Sequence, residues 1–252
     1  MVNYKIDWSL LKLCLINGLR NLPATITLTL MAVAISLCIG MFTALARYYK
    51  TPVISQILTI FLTVLKGTPV MLILLITSLI YNNNIGKIIE YFNLNIKPAE
   101  VNLIALGVFV LSLCLLSSST EAFRGALLSI DKIQFEAGYS VGLTTTQLLR
   151  KIVIPQVIPA SMPMLMNNLV ASFKASALVY TIGIVEVMYG SLQACAKYYS
   201  YLEGYIAAAI IFWVLSVLMS FFGGWASNAV RIEKVKSERA QGVGKRVEPC
   251  AY

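Results

Sequence analysis

FEAGYSVGLTTTQLLRKIVIPQ, residues 135–156, stands between two long apolar stretches. It carries a carboxylate, two glycines, three consecutive threonines, an Arg-Lys pair and a proline. Its punctuation predicts a short helical elbow. Asp131 with Gln134 three residues on has the capping-box arrangement and opens a helix through about Val141. Gly142 ends that helix, because glycine takes the left-handed conformation at little steric cost. Thr144 with Gln147 repeats the cap and opens a second helix over Thr145–Ile154, which Pro155 is expected to break or kink. The first helix, of about ten residues, would be about 15 Å long. Its Ala137-Gly138 pair would leave one side flat, open to close approach by another protein's backbone. From these residues alone, an amphipathic connector resting on lipid headgroups fits as well as a docking element does.

The surroundings of the elbow are lipid-soluble. The chain of 252 residues is 58% hydrophobic and only 12% charged, with a mean hydropathy of +0.79. A soluble domain of this length carries far more surface charge. The net charge of +9 is therefore read as loop charge on one side of a bilayer, with no nucleic-acid partner. The chain has no histidine, which removes the commonest general base and metal ligand. Its five cysteines, Cys14, Cys38, Cys114, Cys195 and Cys250, include no CxxC and support neither a disulfide framework nor a zinc site. No metal site and no cofactor bound by this chain are expected. The first residues mix charge with apolar positions and show no small-residue cleavage site, so no signal peptide is expected.

A spanning helix needs about 20 apolar residues. Five segments meet that length: Leu22–Ala46, roughly Ile54–Tyr81, Val101–Ser119, roughly Pro163–Leu192 and Tyr205–Val230. The second is interrupted by Lys66-Gly67-Thr68-Pro69, and the fourth contains Lys174 and Glu186. An odd number of spans puts the two ends on opposite sides. With the N-terminus outside, twelve of the twenty Lys and Arg residues fall in the cytoplasm, six outside and two in the membrane. The positive-inside rule therefore favours N-out and C-in, and it places the elbow in the cytoplasm. The expected divisions are an amphipathic segment over 1–21 on the outer face, with Trp8 as its anchor; a transmembrane unit over 22–230; and a basic, solvated cytoplasmic tail over 231–252. The cytoplasmic loop itself runs over 129–163.

The elbow resembles the EAA motif, EAA-x3-G-x9-I-x-L-P, of the membrane subunits of ATP-binding-cassette importers. Glu136-Ala137-Gly138, Gly142 and Ile152-Val153-Ile154-Pro155 match it in spacing, with Gly for the second Ala and Ile for the Leu. Leu65-Lys66-Gly67-Thr68-Pro69-Val70 is similar to the (R/K)GTP signature of polar amino acid permeases. Phe173-Lys174-Ala175-Ser176-Ala177-Leu178, followed by Ile182-Gly183-Ile184-Val185-Glu186, resembles their KDTSL…IGV…E stretch. Ala175 stands where those permeases carry Asp, and a segment without it resembles permeases for cystine and related sulfur amino acids.

The resemblance implies an all-α integral membrane protein with the type I importer fold, in the bacterial inner membrane. It implies that Glu136, Ala137, Gly138, Gly142, Ile152 and Pro155 form a coupling helix seated on an ATPase subunit. Partners would be ABC ATPase subunits, an extracytoplasmic solute-binding protein and a second permease, identical or paralogous. ATP-Mg would be bound by the partner, since GVGKR at 242–246 lacks the spacing and hydroxyl of a phosphate loop. Five helices enclose too little for a gated path, so a two-fold pair is expected.

Candidate path residues are Lys66, Thr68, Asn168, Lys174, Ser176 and Glu186. Lys66 either snorkels to headgroups or lines a path at the helix break. Asn167, Asn168 and Ser176 either bind a zwitterion or bond across helices. Glu186, about 18 Å along one helix from Lys174, is expected near the wet outer end. Glu121 and Arg124 are expected to form a surface pair, and Ser117–Thr120 reads as polar residues at an interface. A secondary transporter or channel for small polar solutes is the alternative. It would need mid-span coupling carboxylates, and none are seen. Without histidine, clustered carboxylates or a nucleophile beside a base, an enzyme is excluded.

Overall fold

The structure, a computed structural model, describes residues 6–91, 93 and 103–240. The predicted start of the third span at Val101, Cys250 and residues 241–252 of the tail lie outside the described residues. Among the described residues ten α-helices follow in order: α1 (Trp8–Arg20), α2 (Leu22–Tyr48), α3 (Ile54–Gly67), α4 (Val70–Tyr91), α5 (Leu103–Leu128), α6 (Lys132–Ser140), α7 (Thr145–Leu148), α8 (Ile154–Ser176), α9 (Val187–Ala196) and α10 (Tyr201–Ala240). A π-turn over Leu149–Val153 joins α7 to α8, and a 3-10 segment over Ala177–Ile182 follows α8. Among the described residues, α2, α4, α5 and α10 are each long and apolar enough to cross a membrane. The stretch Thr145–Ile182 and α9, bent by 47° at the break between them, pass the same test together, which gives five crossings if the pair is one span.

The centre of the bundle is α5 against α2. Residues Thr25, Leu28, Thr29, Ala32, Ser36, Gly40, Thr43 and Ala44 of α2 are buried and recur at three- and four-residue steps. The opposite face carries Leu30, Met31, Ile35, Ile39 and Phe42, all exposed. This is the reverse of a soluble helix, and the bilayer explains it. Lipid is as apolar as Leu, so the inward face is chosen for close approach rather than for hydrophobicity. The hydroxyls satisfy themselves on their own helix: Thr29 donates to the Thr25 carbonyl at 2.7 Å and Ser36 to that of Val33 at 2.8 Å. Two also meet α5, with Ser36 3.3 Å from Ser119 and Thr43 2.6 Å from Thr120. The polar run at 117–120 therefore forms part of the principal helix–helix seam.

Two predicted spans are corrected. The second is two helices, because Pro69 has no N–H to give and forces Thr68 into extended backbone (φ −97°, ψ 129°). The crossing helix is α4, which begins at Val70 and runs ten residues past the predicted end. The fourth is not one helix. After the α8 rod, Gly183 takes a left-handed φ of +82° and Glu186 recaps the chain as α9, bent by 47°. In the last helix, residues 231–240 of the basic tail continue α10; Arg, Glu, Lys and Ala are good helix formers.

The N-terminal segment is also more than a surface anchor. Trp8 is exposed, but Leu10, Leu11, Cys14 and Gly18 of α1 are buried against α9 and α10. Asp7 caps α1 by accepting from the Ser9 and Leu10 amides at 2.9 and 3.2 Å. The Ser9 hydroxyl, and after it these amides, hold the Asp7 carboxyl below the usual range.

The seam yields the first prediction. A Cβ on Gly40 would lie 3.0 Å from Ser119 Cβ and 3.3 Å from the backbone there, whereas one on Gly125 meets nothing within 4 Å. Gly40→Ile is expected to destabilise the detergent-solubilised protein by about 1–3 kcal/mol, read as a lowered unfolding temperature. Gly125→Ala should leave that temperature unchanged or raise it.

Candidate functional site

The elbow over residues 131–156 follows the helix–turn–helix pattern expected of it, with three corrections. Asp131 caps α6 by accepting from the Ile133 amide at 3.0 Å. Gln134 does not return the bond. It accepts instead from Gln156 Nε2 at 2.7 Å and ties α6 to α8. The Asp131 capping box is thus half-made, while that of Thr144 and Gln147 is complete at 3.3 and 3.0 Å. Gly142 stands at φ +79°. The Leu143 amide reaches the Gly138 carbonyl at 3.1 Å and the Gly142 amide that of Tyr139 at 3.0 Å, closing α6 with a Schellman motif.

Gly138 supplies the second correction. Its flat side is not open to a foreign backbone. A Cβ there would lie 2.2 Å from Leu148 Cδ1, and Leu148 is fully buried. The missing side chain lets α7 fold back on α6. Glu136, Ala137 and Gly142 are exposed and Ile152 is half-buried. Ile133, Tyr139 and Val141 add exposed apolar surface to the same elbow.

Pro155 supplies the third. It is exposed, and the helix does not break there. The Ile154 amide bonds to the Leu149 carbonyl, five residues back, so the turn widens immediately before the proline. That widening takes up the clash between the proline ring and the preceding turn. The chain therefore runs from Thr145 to Ile182 as one rod, with Pro159 and Pro163 inside it.

The elbow is anchored on the core. Leu148, Val153 and Val157 pack with Ala44 of α2 and Ala122, Phe123, Ala126 and Leu127 of α5. Tyr48 at the end of α2 stacks on Phe135 of α6, with ring centroids 6.2 Å apart. Glu121 bonds Arg124 at 2.9 Å, as expected, but also Arg47 of α2, whose Nε donates to Thr59 of α3 at 3.2 Å. What read as a surface pair joins three helices.

The second feature is a furrow between α8 and α10. A cavity of about 470 Å³ is lined by Val170, Lys174, Trp213, Ser216, Val217, Ser220 and Phe221. A smaller one of about 240 Å³ adjoins it, sharing Val170 and Ser220 and adding Asn167 and Ser227. Lys174 is exposed in this furrow, and Ser216 Oγ is buried without a partner among the described residues. Of the predicted path residues, only Lys174 reaches it. Asn168 is half-buried, its Nδ2 unpartnered among the described residues, and its neighbour Asn167 lines the furrow instead. Ser176 is fully buried and donates to the Phe173 carbonyl at 2.7 Å. Lys66 is exposed in the last turn of α3 and Thr68 donates to the Val64 carbonyl at 2.8 Å; neither lines these cavities.

Glu186 corrects an expectation. It is 0% exposed rather than wet, and Oε1 accepts from the Tyr189 amide at 2.9 Å. Glu186 stands one residue before α9 and caps it, beyond the left-handed Gly183. Ser216, Ser220 and Trp213 were missed because they belong to a uniformly apolar span, where nothing singles them out until α8 lies beside them.

Comparison with known proteins decides the family. The profile described as binding-protein-dependent transport system inner membrane component matches residues 36–232. The chain belongs to that family. Probable amino-acid ABC transporter permease protein PatM of Vibrio harveyi is 28% identical over 211 residues, covering 82% of this chain and 89% of that one. L-cystine transport system permease protein TcyL of Bacillus subtilis is 28% identical over 210 residues, covering 83% and 85%. The crystal structure of an amino acid ABC transporter with histidines superposes with a TM-score of 0.73 at 26% identity, over 90% of this chain and 100% of that one. The protein is thus an ABC importer permease with the type I fold, a multi-pass component of the bacterial inner membrane, and not an enzyme. Membership implies an ATPase and a substrate-binding protein as partners.

For this permease the left-handed turn is directly testable. Gly142→Val forces a β-branched residue to φ near +79°, at a cost of about 1–2 kcal/mol. Amide exchange over residues 138–148 is expected to quicken about tenfold, with α2 and α5 unchanged, as read by hydrogen-exchange mass spectrometry.

Proposed function

We propose that the permease carries polar amino acids inward across the membrane, with its N-terminus outside, driven by ATP-Mg hydrolysed on separate ATPase subunits. The observation that carries this reading is the elbow's construction: α6 is locked to α7, and α7 is continuous with the rod Thr145–Ile182. Force applied to the exposed face of α6 would move that rod as one body. Glu136, Ala137, Gly142 and Ile152 would meet the ATPase, while Gly138 and Pro155 shape the elbow that presents them.

The furrow between α8 and α10 is proposed as part of the substrate path, completed by a second permease about a two-fold axis. Its volume of about 470 Å³ suits a small ligand. Lys174 would hold the substrate carboxylate, and the serine hydroxyls with Asn167 would bond its ammonium group. Ala175 supplies no carboxylate for that ammonium, which fits the narrower reading of cystine or a related sulfur amino acid. The similarity to a cystine permease supports it, at the same 28% identity as the Vibrio harveyi relative. Glu186 would hold the bend between α8 and α9 rather than meet substrate, and Lys66 and Thr68 would shape the α3–α4 break.

Two outcomes are expected of the transporter assembled with its ATPase and binding protein in proteoliposomes. Gly142→Val should retain ATP hydrolysis while uptake falls by about tenfold or more; uptake that keeps pace with hydrolysis would remove the elbow from the transmission path. Lys174→Met should raise the KM for uptake about tenfold, the loss of one charge-assisted bond. An unchanged KM would place the substrate elsewhere.

A further inference from the structure

Cys14 of α1 and Cys195 of α9 are 181 residues apart in sequence, and their Sγ atoms lie 3.3 Å apart. Both are fully buried in one cluster with Leu10, Leu11 and Ala207. The fold clears room for them. A Cβ on Gly204 of α10 would lie 2.3 Å from Cys195 Sγ, and one on Gly18 of α1 would lie 2.3 Å from Ser191 Oγ one turn away on α9. Two glycines thus let α1 and α10 close on the turn of α9 that holds Cys195. The Asp7 amide just before α1 also donates to Glu203 Oε1 of α10 at 3.1 Å.

We propose that Cys14 and Cys195 are a disulfide in the mature protein, a covalent staple holding the amphipathic helix α1 to α9 on the outer side of the membrane. The proposal rests on the N-outside orientation, which puts both residues in an oxidising compartment. Closing the sulfurs to the roughly 2.05 Å of a disulfide needs about an ångström of further approach. The oxidant is a protein disulfide of the outer compartment. The Cys14 thiolate attacks one of its sulfurs, forming a mixed disulfide and releasing the donor's other sulfur. The Cys195 thiolate then attacks Cys14 Sγ and releases the second. Two electrons pass to the donor, and the two cysteine protons end on its two thiols. Because both cysteines are buried once packed, exchange precedes the docking of α1.

The staple itself is tested on the native chain. Purified without reductant, it is denatured and tagged with a maleimide polymer, with and without prior reduction. Of five cysteines, three should be tagged before reduction and five after. Peptide mass spectrometry should find Cys14 linked to Cys195. Five tags before reduction, or a link joining other cysteines, would overturn the staple. Lys12→Cys, at an exposed position of α1, reports sidedness through a membrane-impermeant maleimide on intact cells. Five tags on the native chain before reduction, with the Lys12→Cys variant labelled from outside, would refute the disulfide alone; five tags on the native chain with that variant unlabelled would refute the orientation as well.

Discussion

Leu148 occupies the space that Gly138 leaves empty, and the rest of the elbow depends on that contact. It folds α7 against α6, so the elbow is a packed unit rather than a hinge. The left-handed Gly142 and the Schellman bonds behind it fix the angle of the turn. The widened turn at Leu149–Val153 then passes the direction of α7 into α8 without a break. A residue with a side chain at 138 would have to displace Leu148, which is also the point where the elbow enters the core shared with α2 and α5.

Solvent explains where rigidity and freedom lie. In lipid, apolar burial does not drive helices together, so the firm contacts are those where small residues and hydroxyls permit close approach. The α2–α5 seam has them: Ser36 lies 3.3 Å from Ser119, Thr43 lies 2.6 Å from Thr120, and Gly40 lets the backbone approach Ser119. The α3–α4 pair lacks them; α3 buries only Leu62 and α4 only Leu74, Ser78 and Ile89. Between α8 and α10 the packing opens into the furrow. The bundle thus combines a fixed spine with a lever on one flank and an open furrow beside it.

Much of this was legible in the sequence because short-range chemistry wrote it. The caps at Asp131 and Thr144, the glycine at 142 and the interruption at Pro69 all follow from residues within one or two turns. What was not legible depends on partners far along the chain. Gly138 looked like a docking surface because nothing local reveals Leu148. Pro155 looked like a break because a π-turn has no local signature. Glu186 looked wet because its burial comes from the packing of α9, on the far side of a bend. The furrow depends on α10 lying beside α8, which no pattern within either span encodes.

The rigidity of the lever is the claim on which the functional reading turns. It can be measured by electron–electron distance spectroscopy on a chain carrying spin labels at Ser140 and Met164, diluted with unlabelled chain and assembled with the ATPase. A rigid lever predicts the same narrow distance with and without trapped ATP, while a second pair, Ser140 with Leu79 on α4, changes. A 140–164 distance that shifts or broadens on ATP trapping, with 140–79 constant, would contradict it.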